Sequence, residues 1–340
     1  MKPSVSICIP TFNRANLLAQ TLEKLAMSIS THAADNEIEV CISNNASSDD
    51  TAHVIDGFKT IFKNFRVTTL PVNSGFSANL KSVVELASCS RIVVFGDDDF
   101  VLDDTISLLL KHSREPQLLT VFNTAKGERF MTGKLAKVSE HDLESAEFIL
   151  SELGIYQLSS IANFMVERQA FLERLHAVDE KSAYPHTIAL LDIARLFRAK
   201  FVNRPLLSSE GDHRDWTIWQ PVLTSIDLAR ILMEGPLRYS TSVQLKRQCN
   251  WTTLRSLPRA ILLKRNGNIT SQEDNPYKSV TLKNISQIYS CLIQSKILAI
   301  AVYVVFSITP MQLAKKMLFI LSNSNEFPPH NSRIITSLDD

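Results

Sequence analysis

Paired cysteine motifs are missing: the 340 residues contain five cysteines (Cys8, Cys41, Cys89, Cys249 and Cys291), an odd number with no CxxC spacing. Neither a disulfide framework nor a cysteine-built zinc site is indicated, and a reducing compartment fits best. G-x-G-x-x-G and G-x-x-x-x-G-K-[ST] are also absent, which removes dinucleotide oxidoreductases and P-loop NTPases. No internal repeat or low-complexity tract occurs. The short run Val5 to Ile9 after Met1-Lys2-Pro3 lacks the longer apolar core of a signal peptide, so a cytoplasmic location is expected. Near the other end, Ile297 to Ile308 is an apolar run of twelve residues. A bilayer span needs about 20, and a buried helix is the expectation there.

What is present is a chain with 45% apolar residues, enough for one main domain and an appendage. Charge is distributed unevenly. Through Asp215 there are 22 basic and 28 acidic residues, a net of −6; the remainder carries 14 and 7, a net of +7. The C-terminal part is therefore expected to face something anionic.

In the first 125 residues, short β-rich runs (Val5 to Ile9, Glu39 to Ile42, Arg66 to Leu70, Arg91 to Phe95, Leu118 to Phe122) alternate with helical patterns. The helical patterns lie near Asn16 to Met27, Asp49 to Phe62, Ser77 to Ala87 and Thr105 to Lys111. This alternation predicts an α/β fold with a mostly parallel sheet covered by helices, and places ligands beyond the carboxyl ends of the strands. Helical periodicity resumes at Asp142 to Leu153 and at Ile188 to Phe197, followed by a strand-like Phe201-Val202-Asn203. A boundary near Trp216 gives residues 1–216 as the catalytic domain and 217–340 as a helical, basic region. Pro310 is suited to open a final helix over Met311 to Leu321.

Four clusters follow the first four strands. Gly96-Asp97-Asp98-Asp99 sets three adjacent carboxylates together, which repel unless a cation or several donors offset them. Mg²⁺ and Mn²⁺ favour such oxygens; a solvated turn opening the next helix is the alternative. Ser43-Asn44-Asn45-Ala46-Ser47-Ser48-Asp49-Asp50-Thr51 contains a helix cap at Ser47 or Ser48 and two amides able to donate to and accept from a nucleobase. Asn73-Ser74-Gly75-Phe76-Ser77-Ala78-Asn79 opens another helix, where free N–H groups suit a phosphate or ribose, or merely a capped turn.

Together with Pro10-Thr11-Phe12-Asn13-Arg14, these clusters resemble family 2 glycosyltransferases in order and spacing, strongly over residues 4 to 110 and loosely to about 216. The resemblance implies a GT-A type Rossmann-like domain and an inverting transfer from a nucleoside-diphosphate sugar. It implies that Thr11 and Asn45 line the nucleobase pocket with Arg14 and Asn44 close by, and that Asn73, Gly75 and Asn79 border ribose and diphosphate. Asp98 becomes the best metal ligand, supported by Asp99 and in a lesser role by Asp97, which is also expected among the donor nucleotide-binding residues. Two departures stand out: Gly96 occupies the place of the family's first motif aspartate, and Ala78 replaces a basic residue.

Inversion requires a general base. The stretch matching the family's usual Glu-Asp pair reads Ser182-Ala183-Tyr184-Pro185-His186, leaving His186, or Asp212 in Glu210-Gly211-Asp212-His213, with His213 a third option. Tyr184-Pro185-His186, Leu158-Ser159-Ser160-Ile161 and the Pro205 to Asp212 segment resemble abequosyltransferases of O-antigen assembly. Those use a CDP-activated dideoxyhexose, and an asparagine at position 45 is able to donate to cytosine. Residues 235 to 272 hold seven basic and no acidic residues, interleaved with Leu245, Trp251, Leu254 and Leu257. Such a surface suits anionic lipid and a lipid-linked oligosaccharide acceptor at the inner face of the cytoplasmic membrane; nothing in the sequence calls for nucleic acid.

Two rivals are a haloacid dehalogenase-like phosphatase, since Asp97-x-Asp99-x-Val101 matches its nucleophile motif and Gly211-Asp212-x-x-Asp215 its late acidic motif, and a non-catalytic sugar-nucleotide-binding protein.

Overall fold

The computed structural model describes residues 3–123, 140–143, 160–178, 182, 184–197, 199–208, 257–265, 280–283, 285 and 296–323. The chain divides into two compact units, Met1–Gly211 and Asp212–Asp340.

The first unit is built on β1 (Val5–Thr11), α1 (Ala15–Thr31), β2 (Ile38–Asn44), α2 (Thr51–Gly57), β3 (Phe65–Thr69), α3 (Gly75–Leu86), β4 (Arg91–Val94), β5 (Phe100–Val101), α4 (Thr105–Ser113) and β6 (Leu119–Asn123). There follow β7 (Glu140–Leu143), β8 (Phe164–Glu167), α5 (Arg168–His176), α6 (Pro185–Leu196), β9 (Ala199–Pro205) and β10 (Leu207–Ser208). An eight-stranded sheet has the order β3-β2-β1-β4-β8-β6-β9-β7. The β3-β2-β1-β4 half is wholly parallel, whereas β8 runs antiparallel to both β4 and β6.

In β1 and β2 the pleat sends alternate residues to opposite faces. Val5, Ile7 and Ile9 pair with Ile38, Val40 and Ile42 and join the main core with Leu18, Leu22, Leu25 and Ile29 of α1. Those α1 positions recur at three- and four-residue spacing, the stripe of a helix with one buried face. Ser6 and Cys8 pair with Glu39 and Cys41, and α3 packs on these two strands.

Three expectations change. Asp142 and Leu143, read as the start of a helix, lie in β7, antiparallel to β9; residues 144–153 fall outside the described ones. Strand β8 was not anticipated, because its apolar Phe164-Met165-Val166 run, fully buried, shows no period that separates strand from helix. The cap position of α2 is Asp50 and not a serine, and Asp49 just before it accepts from the Thr51 N–H at 3.1 Å.

In the second unit, residues 257–265 are helical, and α7 (Lys296–Ile308) and α8 (Met311–Asn323) flank Thr309-Pro310. Among the described residues no helix is long and apolar enough to cross a membrane. The run at Ile297 is not a buried helix: Ile297 is 80% and Ile308 73% exposed.

Candidate active site

The carboxyl ends of the four parallel strands bring the sequence clusters together. Just after β4 the chain turns at Gly96, and Asp97 enters a buried position where Thr11 at the end of β1 donates its hydroxyl to Oδ2 at 2.7 Å. Arg14, at the start of α1, places one guanidinium nitrogen 3.2 Å from Asp97 Oδ1 and 3.2 Å from Asp98 Oδ2. Burial pushes the Asp97 carboxyl up to about 6; the Arg14 charge and the Thr11 bond only partly offset it, and Asp98 adds repulsion.

Asp99 has another task. Its Oδ2 accepts from the Gly96 N–H at 2.7 Å, closing the turn on itself. A Cβ on residue 96 would lie 2.8 Å from that oxygen and 2.9 Å from Asp98 Oδ1, so a side chain there would make the two carboxylates shift. The backbone of the turn is held from below by Thr21 of α1, whose buried hydroxyl donates to the carbonyls of Asp97 at 3.0 Å and Asp99 at 3.2 Å. Thr21 was missed in the sequence; its only signal is a hydroxyl between Leu18 and Leu22 on a core-facing stripe. Strand β5 pairs antiparallel with β10, and Thr105 donates to the Leu206 carbonyl, so the end of the first unit returns beside the carboxylate turn.

Asn45 is committed to the protein. Its amide nitrogen donates to Asn73 Oδ1 at 2.8 Å and to the Gly75 carbonyl at 3.3 Å, while its oxygen accepts from the Ser74 N–H at 2.9 Å. The expected donation to a nucleobase is therefore already spent on the loop between β3 and α3. Gly75 has a φ of +81°, in the left-handed region where glycine carries no penalty. Asn44 accepts from the Ser47 N–H, and Asn79 donates to the Thr11 carbonyl at 3.2 Å. Asn13, itself at φ 52°, exchanges hydrogen bonds with Ser47 and Ser48. Asp49 accepts from the Ala15 N–H at 3.0 Å, so one carboxylate takes the first N–H of both α1 and α2; its hydrogen bonds outweigh its partial burial and hold its carboxyl below the usual range.

His186 stands at the start of α6, 3% exposed. Phe76 of α3 meets its ring edge-on at 6.0 Å, Phe164 stacks on it at 6.4 Å, and Tyr184 lies at 6.0 Å. The fold thus carries His186 to the first turn of α3. Phe76, 41% exposed, is the outermost ring around it. Asp212 and His213 lie outside the described residues.

The donor set suits a divalent cation: hard carboxylate oxygens already share a cationic group within 3.2 Å. Among the described residues no group of three or more His, Cys, Asp or Glu side chains is arranged to hold a metal alone. Such ions are commonly held by one or two carboxylates completed by water and substrate phosphates.

Residues 6–172 match the model for glycosyl transferase family 2. These residues, just under half of the chain, form a glycosyltransferase family 2 domain. Abequosyltransferase RfbV of Salmonella typhimurium is 37% identical over 108 residues, 31% of each chain, so this glycosyltransferase matches less than a third of that relative. A GalNAc(5)-diNAcBac-PP-undecaprenol β-1,3-glucosyltransferase of Campylobacter jejuni is 24% identical over 93% of this chain and 96% of its own. The GT-A fold recurs in TarS of S. aureus, solved with UDP-GlcNAc (TM-score 0.60, 14% identity, 93% of this chain and 92% of that one). It recurs also in a mannosyltransferase of Pyrobaculum calidifontis solved with GDP-Man and Mn²⁺ (TM-score 0.53, 14% identity, 90% and 87%).

Proposed function

We propose that this enzyme transfers a sugar, with inversion, from a nucleoside diphosphate to a lipid-linked oligosaccharide at the inner face of the cytoplasmic membrane. Residues 1–216 act as the catalytic domain and 217–340 as a basic region facing the lipid. The observation that carries the reading is the Thr11–Asp97–Arg14–Asp98 network at the carboxyl ends of β1 and β4. The whole-length similarity to an enzyme named for an undecaprenol-linked substrate supports the acceptor class. The finer reading, a dideoxyhexose such as abequose carried on CDP, rests on the segment shared with the abequosyltransferase.

Asp98, next to Asp97, would hold Mg²⁺ or Mn²⁺, with Asp99 keeping the turn closed. When bound, the ion supplies positive charge to the departing diphosphate. Arg14 is placed to follow the phosphates once the carboxylates acquire another cation. Asn45 fixes the loop carrying Asn73 and Gly75, which borders the ribose and diphosphate, and Asn79 secures Thr11 beside the nucleotide. The acceptor hydroxyl attacks the anomeric carbon as the bond to the diphosphate oxygen breaks, and its proton passes to His186 or Asp212. For His186 this requires Phe76 to turn aside.

Calorimetry with CDP, UDP, dTDP and GDP, with Mn²⁺ and then with chelator, tests the proposal. Metal-dependent preference for CDP is expected. Preference for another nucleotide removes the abequose reading, and binding of none removes the donor site.

A further inference from the structure

The exposed side of α7 is apolar where a water-facing helix is ordinarily polar. Ile297, Ile300, Val304 and Ile308 recur at three- and four-residue spacing, and all are exposed. Across Pro310 the exposure continues on α8 at Met311, Leu313 and Ile320, the last 67% exposed, with Lys316 exposed among them. The inward positions are Thr309, Ala314 and Leu318, all buried. The turn is well defined: the Thr309 hydroxyl and N–H both donate to the Val305 carbonyl, the Ala314 N–H donates to Pro310, and Arg265 donates to the Phe306 carbonyl at 3.2 Å. A contiguous apolar surface on a folded element marks an interaction site.

We infer that α7 and α8 form a docking element that lies in the interface of an anionic lipid surface, apolar side inward, without crossing it. Thirteen residues of helix extend about 20 Å, short of the roughly 30 Å hydrocarbon core, and Pro310 separates the two helices. Charge selects the occupant. Residues 296–323 contain Lys296, Lys315 and Lys316 and no aspartate or glutamate. The segment is thus positive in sum and Lys316 is exposed on it, so a second copy meeting it through the same segment brings like charge, whereas anionic headgroups complement it. The inference narrows the lipid contact, within the basic region 217–340, to this helix pair. It rests on the lipid-linked acceptor reading for its biological sense, although the surface itself is argued without it.

The test is flotation of the full-length protein with phosphatidylcholine vesicles, with and without phosphatidylglycerol, run beside nucleotide calorimetry. Wild type is expected to float with the anionic vesicles and to be released by salt. The triple variant Ile297→Glu, Ile308→Glu, Ile320→Glu is expected to bind them at least about tenfold more weakly while its nucleotide affinity and thermal melt stay unchanged. Lys315→Glu with Lys316→Glu, which leaves the apolar side intact, is expected to weaken binding to anionic vesicles alone. Absence of wild-type flotation, or flotation of both variants equal to wild type, overturns the proposal. So does a lipid-free dimer that becomes monomeric in the triple variant, which would assign the surface to a second copy. Loss of nucleotide binding by wild type would instead strike the catalytic reading and leave this one standing.

Discussion

Two buried carboxylate clusters sit at opposite ends of the same strands, and their surroundings set them apart. At the amino ends, Glu39 of β2 accepts from the hydroxyls of Ser6 and Ser88, the Ser88 N–H at 2.8 Å and the Cys41 thiol at 3.4 Å. Burial alone would raise its pKa, but these donors more than offset it and the carboxyl is held below its ordinary value. At the carboxyl ends, Asp97 has Thr11 and a shared Arg14, and burial wins, lifting it to about 6. A charge fully supplied with donors is a structural element. One with fewer donors is disposed to gain a cation or a ligand, which fits the donor site proposed at that end of the sheet.

The sharpest way to break this comparison is to remove one acid from each end. Asp98→Ala should lower turnover by about 10³-fold while leaving the melt unchanged, because it deletes a proposed ligand but no core contact; normal turnover in a steady-state assay would defeat the metal assignment. Glu39→Ala should do the reverse, lowering stability by about 3–5 kcal/mol in denaturant titration through the stranded serine donors, with nucleotide affinity retained in whatever fraction folds.

The pH dependence separates the clusters next. An acid whose pKa falls on folding stabilises above its unfolded value, and that contribution is lost as pH drops through the folded one; Glu39 behaves so. Asp97 has the opposite sign: its folded pKa lies above the unfolded one, so its contribution to stability falls as pH rises from about 4 to about 6. Asp97→Asn should flatten that part of the stability profile, measured by thermal melts across pH; an unchanged slope would contradict the raised value. Arg14→Gln removes the largest influence that lowers Asp97, so it should move an acidic limb of kcat/KM from near 6 to higher pH and weaken donor binding.

The smallest effect is reserved for Thr21. Thr21→Val keeps shape and burial but loses the hydroxyl under the carboxylate turn, at a cost of about 1 kcal/mol. Weaker Mn²⁺-dependent nucleotide binding, restored by Thr21→Ser, would show that it positions Asp97 and Asp98; equal binding in both variants would leave it a packing residue.

Much of this was readable in advance. Strand and helix alternation to Asn123, the four clusters at strand ends and the carboxylate turn all follow from local period and turn chemistry. The bonds from Asn45 to the loop of Asn73, Ser74 and Gly75 were not legible, because those partners lie nearly thirty residues away in sequence. The helix expected at Asp142 failed because pairing with β9 overrides a short periodic pattern. For Ile297 to Ile308 the pattern identified an apolar helix correctly, but composition does not say whether an apolar face meets protein or something else.

The sequence by itself determined the parallel half of the sheet, the family resemblance and the residues gathered at its carboxyl edge, since each depends on neighbours a few positions away. Tertiary structure decided which carboxylate is rich in donors and which is not, what holds Asn45, how His186 reaches α3 and which way α7 faces. Those outcomes turn on partners as far apart as Thr11 and Asp97, 86 residues along the chain, and on the desolvation that only packing imposes.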